Sequence, residues 1–284
     1  MSYPNLKQSV WLLALLLLIA LGLLVLLAIP GTLLDYDLTS NSYVQTLTIL
    51  VSFVLVIAYA RRRIDRSWSE ILLFKTVPWK LYPSLAVSTV GLSITISILE
   101  RGVQYLIPMP EWVLEIFRDL VWKETPFAFA FYNLAIQPPL IEEVLFRGVI
   151  LIGLLANQRR SLAVFWSALL FALFHLNPWQ FPAAFVLGFV FAFWVIQTGS
   201  LLPAIAGHAI NNFLALTVAR YEIFGPMDDF NNLVSLPWWL DVCGIVLVAS
   251  GLWWFNQIAK REGAPLEFPA DPAPVEAAAD GEPV

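Results

Sequence analysis

Long apolar runs dominate the chain, each closed by a short polar stretch. Runs able to cross roughly 30 Å of hydrocarbon recur at about residues 10–29, 43–60, 81–100, 126–156, 161–176, 179–197, 201–219 and 238–257. The pattern predicts about eight transmembrane helices. No barrel-like alternation appears, and an open sheet leaves its backbone unpaired in lipid, so the expected fold is all-α, a polytopic membrane helical bundle. The first run, Val10 to Ile29, exceeds the 7–15 apolar residues of a signal-peptide core and only Lys7 precedes it, so it reads as a retained helix. The fourth run is too long for one straight crossing and contains Pro138-Pro139, where missing backbone donors should kink or restart the helix.

Polar stretches set the direction. With a cytoplasmic N-terminus, the inside segments hold Lys7, Arg61, Arg62, Arg63, Arg66, Lys75, Lys80, Arg159, Arg160, Lys260 and Arg261, and the outside segments hold only Arg101, Arg118, Lys123 and Arg220. An even number of spans then returns the C-terminus to the cytoplasm. The expectation is a multi-pass integral membrane protein with both termini cytoplasmic. Residues 101–124 mix Trp112, Val113, Ile116 and Phe117 with Glu111, Glu115, Arg118 and Asp119, which suits an interfacial amphipathic helix or a partly ordered loop.

Composition agrees. Hydrophobic residues make up 59% of the 284 and charged ones 13%, about half the charge of a soluble domain at about 25%, so part of the surface must face lipid. The net charge of −5 is local: Glu267, Asp271, Glu276, Asp280 and Glu282 supply it, in a stretch without Lys or Arg. The remainder is neutral and gives no case for nucleic acid. Residues 1–262 read as the membrane-embedded domain and 263–284 as a disordered acidic tail rich in Pro and Ala. Cys243 is the only cysteine, which excludes intrachain disulfides, Cys-based zinc sites and redox pairs.

Three spans depart from the apolar background. The fourth carries Glu142, Glu143 and Arg147, the fifth ends in His175, and the seventh carries His208 and Asn212. An ionisable group at mid-membrane costs about 2.5–3.5 kcal/mol on insertion scales, so three within six residues need partners. Glu143 and Arg147 are spaced i,i+4 and can pair along one face, whereas Glu142 lies about 100° around the helix with no such local partner. One guanidinium cannot serve two carboxylates equally, and a carboxylate left to exchange a proton is what a general base needs. His208 and Asn212 are also i,i+4 and share a face. The simplest arrangement turns all three spans inward around a wet cavity, where peptide hydrolysis needs a base for water and donors for an oxyanion.

Glu-Glu-x-x-x-Arg (142–147), Phe-x-x-x-His (171–175) and His-x-x-x-Asn (208–212), in this order on successive helices, resemble the three motifs of the CAAX-protease and bacteriocin-processing (CPBP or Abi) family of intramembrane proteases, which includes the CAAX prenyl endopeptidase. The resemblance covers about residues 126–219. It implies an endopeptidase acting on membrane-associated or C-terminal segments of a peptide or protein substrate. Glu142 and His175 would activate water, His208 and Asn212 would stabilise the oxyanion, Glu143 and Arg147 would hold the geometry, and Phe171 would pack one turn from His175. Members are often called metalloproteases, and two His plus one Glu are enough ligands for zinc. A glutamate-activated water uses the same residues without metal, and no cofactor is the expectation adopted.

Blander readings exist for each part. A Glu–Arg pair can be structural glue, and buried Asn or Gln, such as Asn133, Asn211 and Gln137, commonly bridge helices. The alternative to an enzyme is a non-catalytic scaffold or bacteriocin-immunity protein of the same fold. A proton-relaying transporter is a third class, disfavoured because no internal repeat is present. Oligomeric state, substrate identity and the side of substrate entry stay open.

Overall fold

The computed structural model describes residues 3–34, 38–64, 67–115, 125–223 and 237–262, leaving the acidic tail and residues 116–124 of the amphipathic stretch outside the described residues. Helices occupy every predicted span: α1 (Leu6–Leu34), α2 (Ser42–Arg61), the short α3 (Trp68–Leu72), α4 (Leu81–Leu106), α5 (127–155), α6 (Arg160–Phe174), α7 (Phe181–Thr198), α8 (Leu202–Arg220) and α9 (Trp238–Glu262). No strand occurs among the described residues. Six of these, α1, α2, α4, α7, α8 and α9, are long and apolar enough to cross a membrane. The chain is an integral membrane protein.

Three details differ from the expectation. Arg101–Leu106 continue α4 as helix, and helix resumes at residues 111–115. Helix α5 is continuous but not uniform, because π-helical stretches interrupt it at Tyr132–Ile136 and Val144–Leu151. Finally, α6 has only 15 residues, a rise of about 22 Å, so it falls short of a full crossing.

Polarity is inverted relative to a soluble protein. Leu18, Leu26, Leu47, Val246 and Trp253 are among the large apolar side chains turned outward on α1, α2 and α9. The interior instead holds Glu142, Glu143, Arg147 and His208 beside Trp194, Phe146, Phe171 and Phe191. In lipid the outward surface needs no polar cover, while interior charges must find partners. Small residues bring the helices close: a Cβ on Gly91 of α4 would lie 2.5 Å from the Val248 backbone nitrogen of α9, an approach open to glycine alone. Asn133 and Gln137 tie α5 to α2 through the Thr46 hydroxyl and carbonyl, and Asn211 of α8 accepts from Ser93 of α4.

Candidate active site

The charged cluster forms where α5, α6, α7 and α8 meet. Glu143 and Arg147, each with no exposed side-chain surface, pair at 3.1 Å along α5. Arg147 also donates to the Gly188 carbonyl of α7 at 3.3 Å. Its guanidinium carbon lies 4.3 Å from the Phe171 ring centroid and 5.4 Å from that of Phe191. These rings present their negative faces to a cation in a dry site. Three helices therefore fix one guanidinium.

His208 enters from α8. Its Nδ1 lies 3.0 Å from Glu143 Oε1, the oxygen that already accepts from Arg147. A carboxylate only accepts, so Nδ1 carries the proton and Nε2 is left for other work. That Nε2 faces Glu142 Oε2 at 3.9 Å, beyond a direct hydrogen bond and within reach of a shared water. Glu142 Oε2 is buried with no hydrogen-bond partner in the protein. Phe191 stacks on the His208 ring at 5.2 Å and Phe171 meets it edge-on at 5.8 Å.

His175 caps the C-terminus of α6. Its Nδ1 donates to the Phe171 carbonyl at 2.8 Å, so its Nε2 is also left free. The Phe171 ring stands between the histidines, 5.0 Å from His175. No hydrogen bond joins His175 to either glutamate. Asn212 lies one turn beyond His208, where its amide donates to the Leu134 carbonyl of α5 at 2.9 Å and its oxygen accepts from Asn211 at 3.2 Å.

Glu142, Glu143, Arg147 and His208 thus form one bonded or nearly bonded group, with His175 linked through Phe171 and Asn212 through α8. Phe191 and the carbonyls of Gly188 and Leu134 were not singled out in the sequence. Nothing marks Phe191 among so many phenylalanines, whereas Pro138-Pro139 does mark Leu134, since prolines four and five residues on cannot donate to its carbonyl. Among the described residues, no three His, Cys, Asp or Glu side chains converge closely enough to hold a metal ion. Each histidine has its Nδ1 anchored and its Nε2 left open, an arrangement that suits an imidazole holding a metal as well as one orienting a water.

Residues 124–214 match the family model of the Rce1-like type II CAAX prenyl endopeptidases. The matched segment contains all six candidate residues and begins and ends within five residues of the stretch picked out by the motifs. The resemblance to the CAAX-protease family therefore holds, and it supports a CAAX-type intramembrane protease in general. Neither the curated proteins nor the solved structures include a match to the chain.

Proposed function

We propose that the protein is an intramembrane endopeptidase that hydrolyses a peptide bond with a water activated by Glu142 and His175, without metal. The observation that carries this reading is the division of labour between the adjacent glutamates. Glu143 Oε1 takes both the Arg147 and the His208 bonds, whereas Glu142 makes no hydrogen bond within the protein, although each glutamate keeps a buried Oε2 without a partner. Glu142 is thus the carboxylate able to take a proton from water. His175 Nε2, a lone-pair acceptor while its Nδ1 is donated to Phe171, orients the same water.

The water oxygen bonds to the scissile carbonyl carbon as its proton passes to Glu142. Charge develops on the carbonyl oxygen, where the Asn212 amide can donate to it, and where His208 Nε2 would do so in the ring form that carries a proton on both nitrogens. The carbon–nitrogen bond then breaks, and Glu142 returns the proton to the departing amine. Glu143 and Arg147 touch no substrate in this scheme; they fix the His208 ring.

Substrates are peptides or proteins presented at the bilayer, and both termini of the enzyme are cytoplasmic. The test compares membrane proteomes of cells carrying wild type or Glu142→Gln. Termini produced only by wild type support the reading and identify the substrate. Identical proteomes would favour the non-catalytic scaffold or immunity reading.

A further inference from the structure

Asn212 is the one proposed oxyanion donor with an unusual tether. In an α-helix the Leu134 carbonyl would accept from the N–H of residue 138, and in a π-helix from that of residue 139. Both positions are proline. The remaining option, a tighter bond from Gln137, is also closed, because the Gln137 N–H bonds the Tyr132 carbonyl instead. Leu134 therefore has no helical donor, and its carbonyl accepts from the Asn212 side chain at 2.9 Å.

We infer that Pro138 and Pro139 are positioning residues: by stripping Leu134 of every helical donor, they leave its carbonyl to hold the Asn212 amide in place for the oxyanion. The inference rests on the hydrolytic reading above. The amide has two N–H groups. One is spent on Leu134, and its oxygen is spent on Asn211, which is itself held by Ser93. Two anchors at fixed angles define the plane of the amide, so the direction of its second N–H is set before substrate arrives. Such preorganisation is what makes a donor effective in the transition state. A loose asparagine would have to pay for that order at each turnover. The pair also accounts for the π stretch at Tyr132–Ile136 directly before it.

Pro138→Ala restores the α-helical donor for Leu134, and Pro139→Ala restores the π-helical one. Either change lets the backbone reclaim the carbonyl and release Asn212. The expected result is a fall in kcat of about tenfold with KM within about twofold, since the loss is confined to the transition state. A structural role for the prolines would also lower kcat through misfolding, so a second readout is needed. Asn212→Ala should lower the thermal midpoint in wild type, where it orphans the Leu134 carbonyl. It should lower it much less in Pro138→Ala/Pro139→Ala, where that carbonyl has a backbone donor. Should the double variant fail to fold, the same cycle is run in Pro138→Ala. An equal cost of Asn212→Ala in both backgrounds, or an unchanged kcat in both single proline variants, overturns the inference. Wild-type turnover by Asn212→Ala is a different result, which overturns the oxyanion assignment itself.

Discussion

Glu143 and His208 meet at 3.0 Å through the one carboxylate oxygen that also accepts from Arg147. A single atom thus couples the α5 ion pair to the α8 ring. Because Glu143 is held by Arg147 and His208 through this oxygen, the proposed base is its neighbour Glu142, which makes no hydrogen bond within the protein. Glu142→Gln keeps size and polarity but cannot take a proton. In purified protein it should lower kcat by at least about 100-fold, the lower bound for general base catalysis, while KM stays near wild type. Wild-type turnover by this variant would end the proposed mechanism.

The ion pair should be necessary for different reasons in stability and in activity. Arg147→Ala leaves Glu143 buried without its main partner, at a cost of about 3–5 kcal/mol. Replacing both residues by methionine removes the charges together and should recover much of that loss. Activity should not recover, because His208 has then lost its Nδ1 anchor. Thermal unfolding in detergent and turnover, measured on the same samples, separate the two effects. Recovered activity in the methionine pair would mean that Glu143 does not orient His208.

Gly207, next to His208, packs against the Trp194 ring so closely that an added Cβ would overlap Trp194 Cζ3. Gly207→Ala should destabilise by about 1–3 kcal/mol through overpacking. It should also lower turnover by pushing α8, and with it His208, away from α5. The check is again a thermal midpoint beside a rate. A neutral substitution would show that α7 and α8 have room to separate.

Metal independence gives a sharper risk. Activity should survive exhaustive chelation, and metal analysis of the purified protein should find no stoichiometric zinc. A tightly held zinc, with inactivation by chelator and rescue by zinc, would overturn the metal-free route.

Reporter fusions test the orientation separately. Fusions at Gln158 and Lys260 should read cytoplasmic and a fusion at Ser40 external, following the excess of Lys and Arg. An external signal at Lys260 would remove the proposed placement of the C-terminus.

Much of the fold was legible because lipid is an exacting solvent: each long apolar run became a helix, from Leu6–Leu34 to Trp238–Glu262. The Glu143–Arg147 pair followed from i,i+4 spacing alone. What spacing could not supply was the use of each atom. That His208 turns its Nδ1 to Glu143, and that Phe171 stands between the histidines, depend on how α5, α6 and α8 pack. Helix ends were harder still. The apolar pattern breaks at Glu100 and Arg101, although α4 runs on to Leu106, and it reads the fifth run as a full span when α6 stops at Phe174.

That early stop has a bearing on where the attacking water comes from. A helix of about 22 Å in a hydrocarbon slab of about 30 Å is mismatched, and thinning around the short element is one way a bilayer accommodates it. His175 ends that element and is only half-buried, followed by Leu176 and Asn177 in a loop. Local thinning at the end of α6 would draw headgroups and their hydration toward His175. Hydrolysis inside a membrane is starved of one reactant, and here the deficit in helix length sets up its supply line.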